Sequence, residues 1–161
     1  MKNIHKTLIF AALLSLAAAC SDNEDVERPV ITAEGIAASP VNCDSYVLGD
    51  TIRLCYRFTD NEELGNFNIE VHTNHDHHTH SGEAEDCPRE AEEGHEHEHE
   101  AVNPWVLNKD YTIPAGTRDY TARVEIPIPE DVSEGEYHFM IRVTDRAGWM
   151  EMKSLSIMLV D

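Results

Sequence analysis

Apolar and polar residues alternate along several short stretches of the chain, and this period of two predicts β-strands. In TIRLCYRFTD, Ile52, Leu54, Tyr56 and Phe58 occupy every second position. NFNIEVHTN, YTARVEIPIP and YHFMIRVTD repeat the period, while PVITAEGIAA and MKSLSIMLVD supply a first and a last strand. Because successive side chains of a strand point to opposite faces, each stretch offers one apolar face to a core.

Turn-forming stretches separate the predicted strands, among them LGD, DNEELG, PAGTRD and SEGEY. The chain shows no helical period beyond its N-terminus and no alternation of strands with helices. Six or seven short strands over about 130 residues predict an all-β fold, an immunoglobulin-like antiparallel β-sandwich. We assign this domain to residues 29–161 and expect one long histidine- and acid-rich loop in it, a flexible insertion of about 74–103.

The N-terminus has the anatomy of a secretory signal peptide. Lys2 and Lys6 precede an apolar run from Leu8 to Ala19, and small residues then lead to Cys20. This order resembles the lipobox of bacterial lipoproteins, which implies that residues 1–19 are removed and that Cys20 is lipidated. The alternative is an ordinary secreted protein with a chance cysteine.

Residues 20–28 form an acidic tether between this cysteine and the domain. The stretch SDNEDVE is similar to the export tag of Bacteroidetes lipoproteins. The similarity implies a lipid-anchored protein on the outer face of the outer membrane. A tether that is merely solvated is the alternative.

The whole chain is strongly acidic, with 31 acidic and 12 basic residues and a net charge of −19. Removal of residues 1–19 would delete Lys2 and Lys6 but no acid, which brings the net charge to −21. Such a surface repels nucleic acid and anionic membrane and attracts cations. We therefore expect no nucleic-acid partner, and contact with the membrane only through the lipid anchor.

Three cysteines remain once Cys20 carries lipid, and an oxidising compartment allows one disulfide among them. Cys55 lies inside a predicted strand, whereas Cys43 and Cys87 lie in turn-rich stretches that can meet. This favours a Cys43–Cys87 bridge, although the sequence alone leaves the other pairings open.

Eight of the ten histidines fall between residues 72 and 99, and five of them occupy the nine positions 72–80. Imidazole is a common ligand of zinc and copper. His138 is remote in sequence, but strands C and F of an immunoglobulin-like sandwich are neighbours, and opposite residues there have Cβ atoms about 4.5–5.5 Å apart. We therefore predict a His72–His138 pair that binds zinc or copper, completed from the adjoining loop by candidates His75, Asp76, His77, His78 and His80.

A second run, GHEHEHE, differs from the first because it has no apolar residue to pack. Nine acids lie between Glu83 and Glu100, opposed by Arg89 alone, so this stretch is expected to be flexible. It is predicted to act as an auxiliary metal-collecting segment through His95, His97 and His99. The alternative is a low-complexity acidic insertion with incidental histidines.

Three blocks in order link the chain to a known family: GDTIRLCYRFTDNEELGNFNIEVHTNHDHHTH, NPWVLNKDYTIPAG and GEYHFMIRVTDRAGW. They resemble the DUF4625 family of Bacteroidetes lipoproteins over nearly the whole mature domain. The resemblance implies a surface lipoprotein with an immunoglobulin-like fold and a histidine-rich segment, but it implies no chemistry.

Two classes of function follow. The first is a surface lipoprotein that captures or buffers zinc or copper, with an outer-membrane receptor as a candidate recipient. The second is a non-catalytic interaction or adhesion module for glycan or protein, to which Trp105 and Trp149 could contribute if exposed, although we expect both to be buried. No nucleophile elbow or helical zinc-protease motif is present, so we do not expect an enzyme.

Overall fold

The computed structural model describes residues 24–73, Cys87 and 102–161. These residues form eight β-strands, and they contain no helix long and apolar enough to cross a membrane. The strands are β1 (Val30–Thr32), β2 (Asp44–Val47), β3 (Thr51–Thr59), β4 (Leu64–Thr73), β5 (Leu107–Thr112), β6 (Asp119–Pro127), β7 (Gly135–Asp145) and β8 (Met150–Val160).

The strands form the two sheets of a sandwich, which confirms the predicted all-β, immunoglobulin-like fold. One sheet has the order β1-β3-β6 and the other the order β2-β8-β7-β4-β5. All pairings are antiparallel except that of β2 with β8, which is parallel and makes the larger sheet mixed. The pattern did not predict β2 and β5, because these short edge strands have no continuous buried face and so little apolar alternation.

The core lies between the sheets and is built from the predicted apolar faces. The rings of Phe58 in β3 and Phe67 in β4 have centroids 5.2 Å apart and so join the two sheets. Cys55 points away from this core but is buried, and its thiol is free. Its backbone pairs with Ser39 in both directions, which places the segment around Ser39 beside it. Further residues predicted to face inward and found buried are Ile52, Leu54, Tyr56, Ile69, Val71, Ala122, Ile126, Ile128, Tyr137, Phe139, Ile141 and Val143.

A tyrosine fixes the start of β7. The hydroxyl of Tyr137 donates a hydrogen bond of 2.7 Å to the carbonyl of Ser133 and accepts one of 3.3 Å from the backbone N–H of Trp105. A tyrosine at this corner, bonded to backbone a few residues upstream, is characteristic of immunoglobulin-like sandwiches. The contact places β7 in the position of strand F, next to β4 in the position of strand C.

Several predictions from the sequence lie outside the described residues and keep their status as predictions. They concern the signal peptide, the lipidation of Cys20, most of the predicted insertion, and the loop candidates His75, Asp76, His77, His78, His80, His95, His97 and His99.

Candidate metal-binding site

The register of β4 against β7 places His72 directly opposite His138. Apolar pairs set this register, since Val71 faces Phe139 and Ile69 faces Ile141 on the side of the core. A slip of one residue would turn these apolar side chains to the outside, so the alternation specifies the alignment strongly. The residues that alternate with them along each strand, including both histidines, lie on the outer face of the larger sheet.

The two imidazoles are close enough to share one ion. Their ring centroids are 5.4 Å apart and their planes meet at 77°. Two imidazoles bound to one tetrahedral zinc, each through a nitrogen at about 2.0–2.1 Å, have centroids about 5 Å apart. His138 is 5% exposed and the side chain of His72 is 22% exposed, so the pair lies at a largely dry position.

A carboxylate and a guanidinium stand beside the pair on the same face. Glu70 Oε1 lies 3.6 Å from Nδ1 of His72, and Glu70 Oε2 lies 3.5 Å from a terminal nitrogen of Arg142. A carboxylate next to a ring nitrogen fixes the orientation of an imidazole ligand and raises its basicity. Arg142 holds Glu70 in turn, so the chain supplies an outer partner for His72.

On the other side of His138, the sheet continues to a disulfide. His138 is opposite Ser156 in β8, and the carbonyl of Ser156 accepts a hydrogen bond of 2.7 Å from the backbone N–H of Cys43. Cys43 is bonded to Cys87, with Cα atoms 5.4 Å apart, which is the pairing that the sequence favoured. His72, His138, Ser156 and Cys43 therefore follow one another in a row across the outer face.

This row brings together Thr73 and Cys87, the two residues that flank the histidine-rich segment 74–86. Thr73 directly follows His72 at the end of β4, and Cys87 is attached to Cys43 at the far side of the row. The thirteen residues 74–86 run between these two anchors and contain the loop candidates His75, Asp76, His77, His78 and His80. Those candidates lie outside the described residues, so only the anchors and the His72–His138 pair are placed.

Sequence reasoning missed how deeply the outer face is buried at its centre. Met140, Ser154 and Ser156 point away from the core but are 4%, 4% and 1% exposed. The two serines in alternate positions of the last strand were the available signal, since small side chains at this spacing leave room for a covering layer. The tryptophans differ from each other: Trp105 is buried, whereas Trp149 is 39% exposed.

Comparisons with known proteins give a family and little more. No curated protein matches the sequence. Among solved structures, the crystal structure of Spo0M, a sporulation control protein from Bacillus subtilis, aligns with 10% identity and a TM-score of 0.40 over 83% of this chain. This chain spans about half of that protein, 49% of its length. The family model described as "Domain of unknown function (DUF4625)" matches residues 18–160, and the chain therefore belongs to the DUF4625 family.

Proposed function

We propose that this protein captures or buffers a divalent transition metal, zinc or copper, at a site built on His72 and His138. The observation that carries the proposal is their direct pairing across β4 and β7, with ring centroids 5.4 Å apart. Two rigid strands hold the pair, so little side-chain freedom is lost when an ion binds.

The pair supplies two of the three or four ligands that a zinc site uses. The expected remaining ligands are the candidates His75, Asp76, His77, His78 and His80, whose segment is anchored at both ends of the row. The net charge of −19 favours the approach of a cation from solution. His95, His97 and His99 would raise the local metal concentration further.

The proposed setting is the cell surface, with the domain anchored through lipidated Cys20 in the outer membrane. A protein held there by lipid could collect metal outside the cell and pass it to an outer-membrane receptor. No catalytic step is part of this proposal.

The test is a zinc competition titration against a chromogenic chelator, with the untagged chain of residues 21–161. The informative variant is His72→Gln/His138→Gln, and the matched control is His95→Gln/His97→Gln, which removes the same number of imidazoles elsewhere. We expect one tight equivalent in the wild type and in the control. Loss of the pair should cost more than the 10–100-fold that loss of an outer partner typically costs.

Equal affinity in the pair variant would contradict a site at His72 and His138. No stoichiometric binding by any of the three proteins would leave the interaction or adhesion module as the better hypothesis. Met140→Leu then tests whether captured copper is held in its reduced form, because Met140 lies two residues along β7 from His138 on the same face. A thioether is a preferred ligand of copper(I), so this change should weaken copper(I) binding, measured with a reductant present, and leave the binding of divalent zinc and copper unaltered.

A further inference from the structure

Three carboxylates meet at the opposite end of the sandwich. Asp25 comes from the segment before β1, Asp60 from the turn between β3 and β4, and Asp145 from the last position of β7. One carboxylate oxygen of each lies within 4.8 Å of the others. Three like charges at this separation repel one another, so the arrangement needs a physical explanation.

Two of the carboxylates are each fixed by their own turn. One oxygen of Asp60, Oδ1, accepts hydrogen bonds from the backbone N–H groups of Glu62 and Glu63, at 2.9 and 2.7 Å. Oδ1 of Asp145 likewise accepts hydrogen bonds from the backbone N–H groups of Gly148 and Trp149, at 2.6 and 2.8 Å. Each of these side chains therefore uses one oxygen for its turn and directs the other elsewhere.

Contacts between the turns then draw the third carboxylate to them. The backbone N–H of Arg146 donates to the carbonyl of Glu63 at 3.0 Å and joins the two turns. Asn61 donates its side-chain N–H to Oδ1 of Asp25 at 3.0 Å, and the indole N–H of Trp149 donates to the carbonyl of Asp25 at 2.8 Å. One residue from each turn thus holds Asp25 in place.

The second oxygens of Asp60 and Asp145 are buried and have no hydrogen-bond partner. Asp145 as a whole is only 5% exposed. A buried carboxylate oxygen that lacks a partner loses its hydration without compensation, which native structures rarely tolerate. Among the ion pairs of residues 24–73 and 102–161, the neighbouring arginines Arg118 and Arg146 are bound to Glu62 and Glu63, and none reaches the three aspartates.

We propose that Asp25, Asp60 and Asp145 bind a hard divalent cation, calcium, at a site separate from the histidine pair. Calcium takes carboxylate and carbonyl oxygens at about 2.3–2.6 Å, so two of its ligands can lie up to about 5 Å apart. Magnesium binds at about 2.0–2.1 Å and limits that separation to about 4 Å. Carboxylate oxygens within 4.8 Å of one another meet the wider calcium limit. Magnesium usually keeps several waters and binds only one or two protein carboxylates, so a set of three carboxylates suits calcium better.

Calcium at this site would join the N-terminal segment to the domain. Asp25 lies only five residues after Cys20, whereas Asp60 and Asp145 belong to turns at the end of the sandwich. The ion would thus fix the start of the described chain against the β3–β4 and β7–β8 turns. The inference does not depend on the histidine pair.

The test is a calcium titration by calorimetry on the metal-free chain of residues 21–161, with thermal unfolding measured in parallel. Asp145→Asn is the main variant because its amide keeps the oxygen that accepts the Gly148 and Trp149 N–H groups. Asp60→Asn keeps its turn for the same reason. Asp131→Asn is the matched control, since Asp131 is an exposed acid in the loop that precedes β7, at the other end of that strand.

We expect one calcium ion per chain, with a Kd near the range of about 10⁻⁴–10⁻³ M that is typical of extracellular modules. Asp145→Asn and Asp60→Asn should each weaken binding by at least about tenfold, because affinity follows the number of charged ligands. Asp131→Asn and His72→Gln/His138→Gln should bind within about twofold of the wild type.

Thermal unfolding separates a binding role from a structural one. Without calcium, Asp145→Asn should unfold at the same temperature as the wild type or higher, because one repelling charge is gone. On addition of calcium, Asp145→Asn should gain less stability than the wild type and the Asp131→Asn control. A lower melting temperature with and without the ion would overturn the proposal. Equal calcium affinity in all variants would also overturn it and would assign binding to the acidic run 83–100. The same holds if no binding is detected up to about 10 mM, ten times the upper end of the expected Kd range.

Discussion

The paired strands β4 and β7 carry a different candidate site at each end. His138 lies near the start of β7 and faces His72, whereas Asp145 ends β7 and is the register partner of Leu64 at the start of β4. The seven-residue separation corresponds to about 23 Å along an extended strand. One end offers imidazole nitrogens, which suit zinc or copper, and the other offers carboxylate oxygens, which suit calcium.

The two ends also differ in how they are held in place. The core-facing register of two long strands sets the histidine pair, and a disulfide closes its row at Cys43. The acid cluster is set by hydrogen bonds within two turns and by the close approach of β4 to β7 at Gly65. A change in either support should therefore affect one site and leave the other intact.

The largest loss of stability is expected from the variant Cys43→Ser/Cys87→Ser, which removes the disulfide. The bridge closes a loop with a sequence separation of 44, so its loss should lower the free energy of unfolding by about 2–4 kcal/mol. Zinc affinity should fall as well, because one end of the histidine-rich segment is no longer tied to the row. Urea unfolding and the zinc competition titration measure the two effects.

Calcium affinity is the internal control for this variant, since the acid cluster lies at the far end of β7. Unchanged calcium binding beside weakened zinc binding would support two independent ends. A fall in calcium affinity at a urea concentration where the variant is fully folded would show that the ends are coupled.

The histidine end could be predicted from the sequence because the alternation of apolar and polar residues that places it is local and periodic. Alternation placed His72 outside β4 and His138 outside β7, and the general order of an immunoglobulin-like sandwich made these strands neighbours. The short edge strands β2 and β5 escaped prediction, yet they do not set the register of the pair. The loop ligands remain predictions because they lie outside the described residues.

The acid end could not be predicted, because its three members are far apart and chemically common. Asp25 was one acid of a tether, Asp60 belonged to a turn, and Asp145 ended a strand. In a chain with 31 acids no pattern marks these three. Only the fold shows that Asp145 is buried and that its second oxygen has no partner.

An intermediate loss of stability is expected from Gly65→Ala, together with weaker calcium binding at the acid end alone. A Cβ at this position would lie 2.8 Å from the carbonyl oxygen of Thr144 and 2.9 Å from that of Asp145, both backbone atoms. Strand β7 must therefore move away from β4, at a cost of about 1–3 kcal/mol. Because Asp145 moves with its backbone, calcium affinity should drop while zinc affinity stays within about twofold, as expected for sites with no shared contacts.

Gly35→Ala is the matched control for this experiment. Gly35 has a φ of +74°, and no atom lies within 4 Å of the place that a Cβ would take, so the change strains the loop after β1 without pushing on Asp145. Calcium binding should therefore be preserved in Gly35→Ala. Loss of calcium affinity in both variants would mean that general destabilisation, and not the position of Asp145, controls the site.

The smallest effect is expected at an aspartate near the acid end that already has a cation. Asp119 is opposite Thr59, the residue before Asp60, and its carboxylate is bonded to the guanidinium of Arg57. The hydrogen bond from Arg57 lowers the pKa of Asp119 below its ordinary value. Since the folded-state pKa is the lower one, the pair stabilises the fold above pH about 4 and loses this contribution as pH falls through the lowered pKa.

Arg57→Gln should therefore return the pKa of Asp119 towards its ordinary value and make acid unfolding begin at a slightly higher pH. The loss of stability should be largest above pH about 4, where the whole contribution of the pair is present, but small even there because both groups are exposed. The measurement is an NMR titration of the Asp119 carboxyl carbon, with and without calcium. If calcium binds only where no internal cation exists, it should leave the Asp119 titration of the wild type unmoved. A calcium-induced shift at Asp119 would instead mean that the ion spreads over the acidic surface at this end, and the contrast between a built site and a merely charged one would fail.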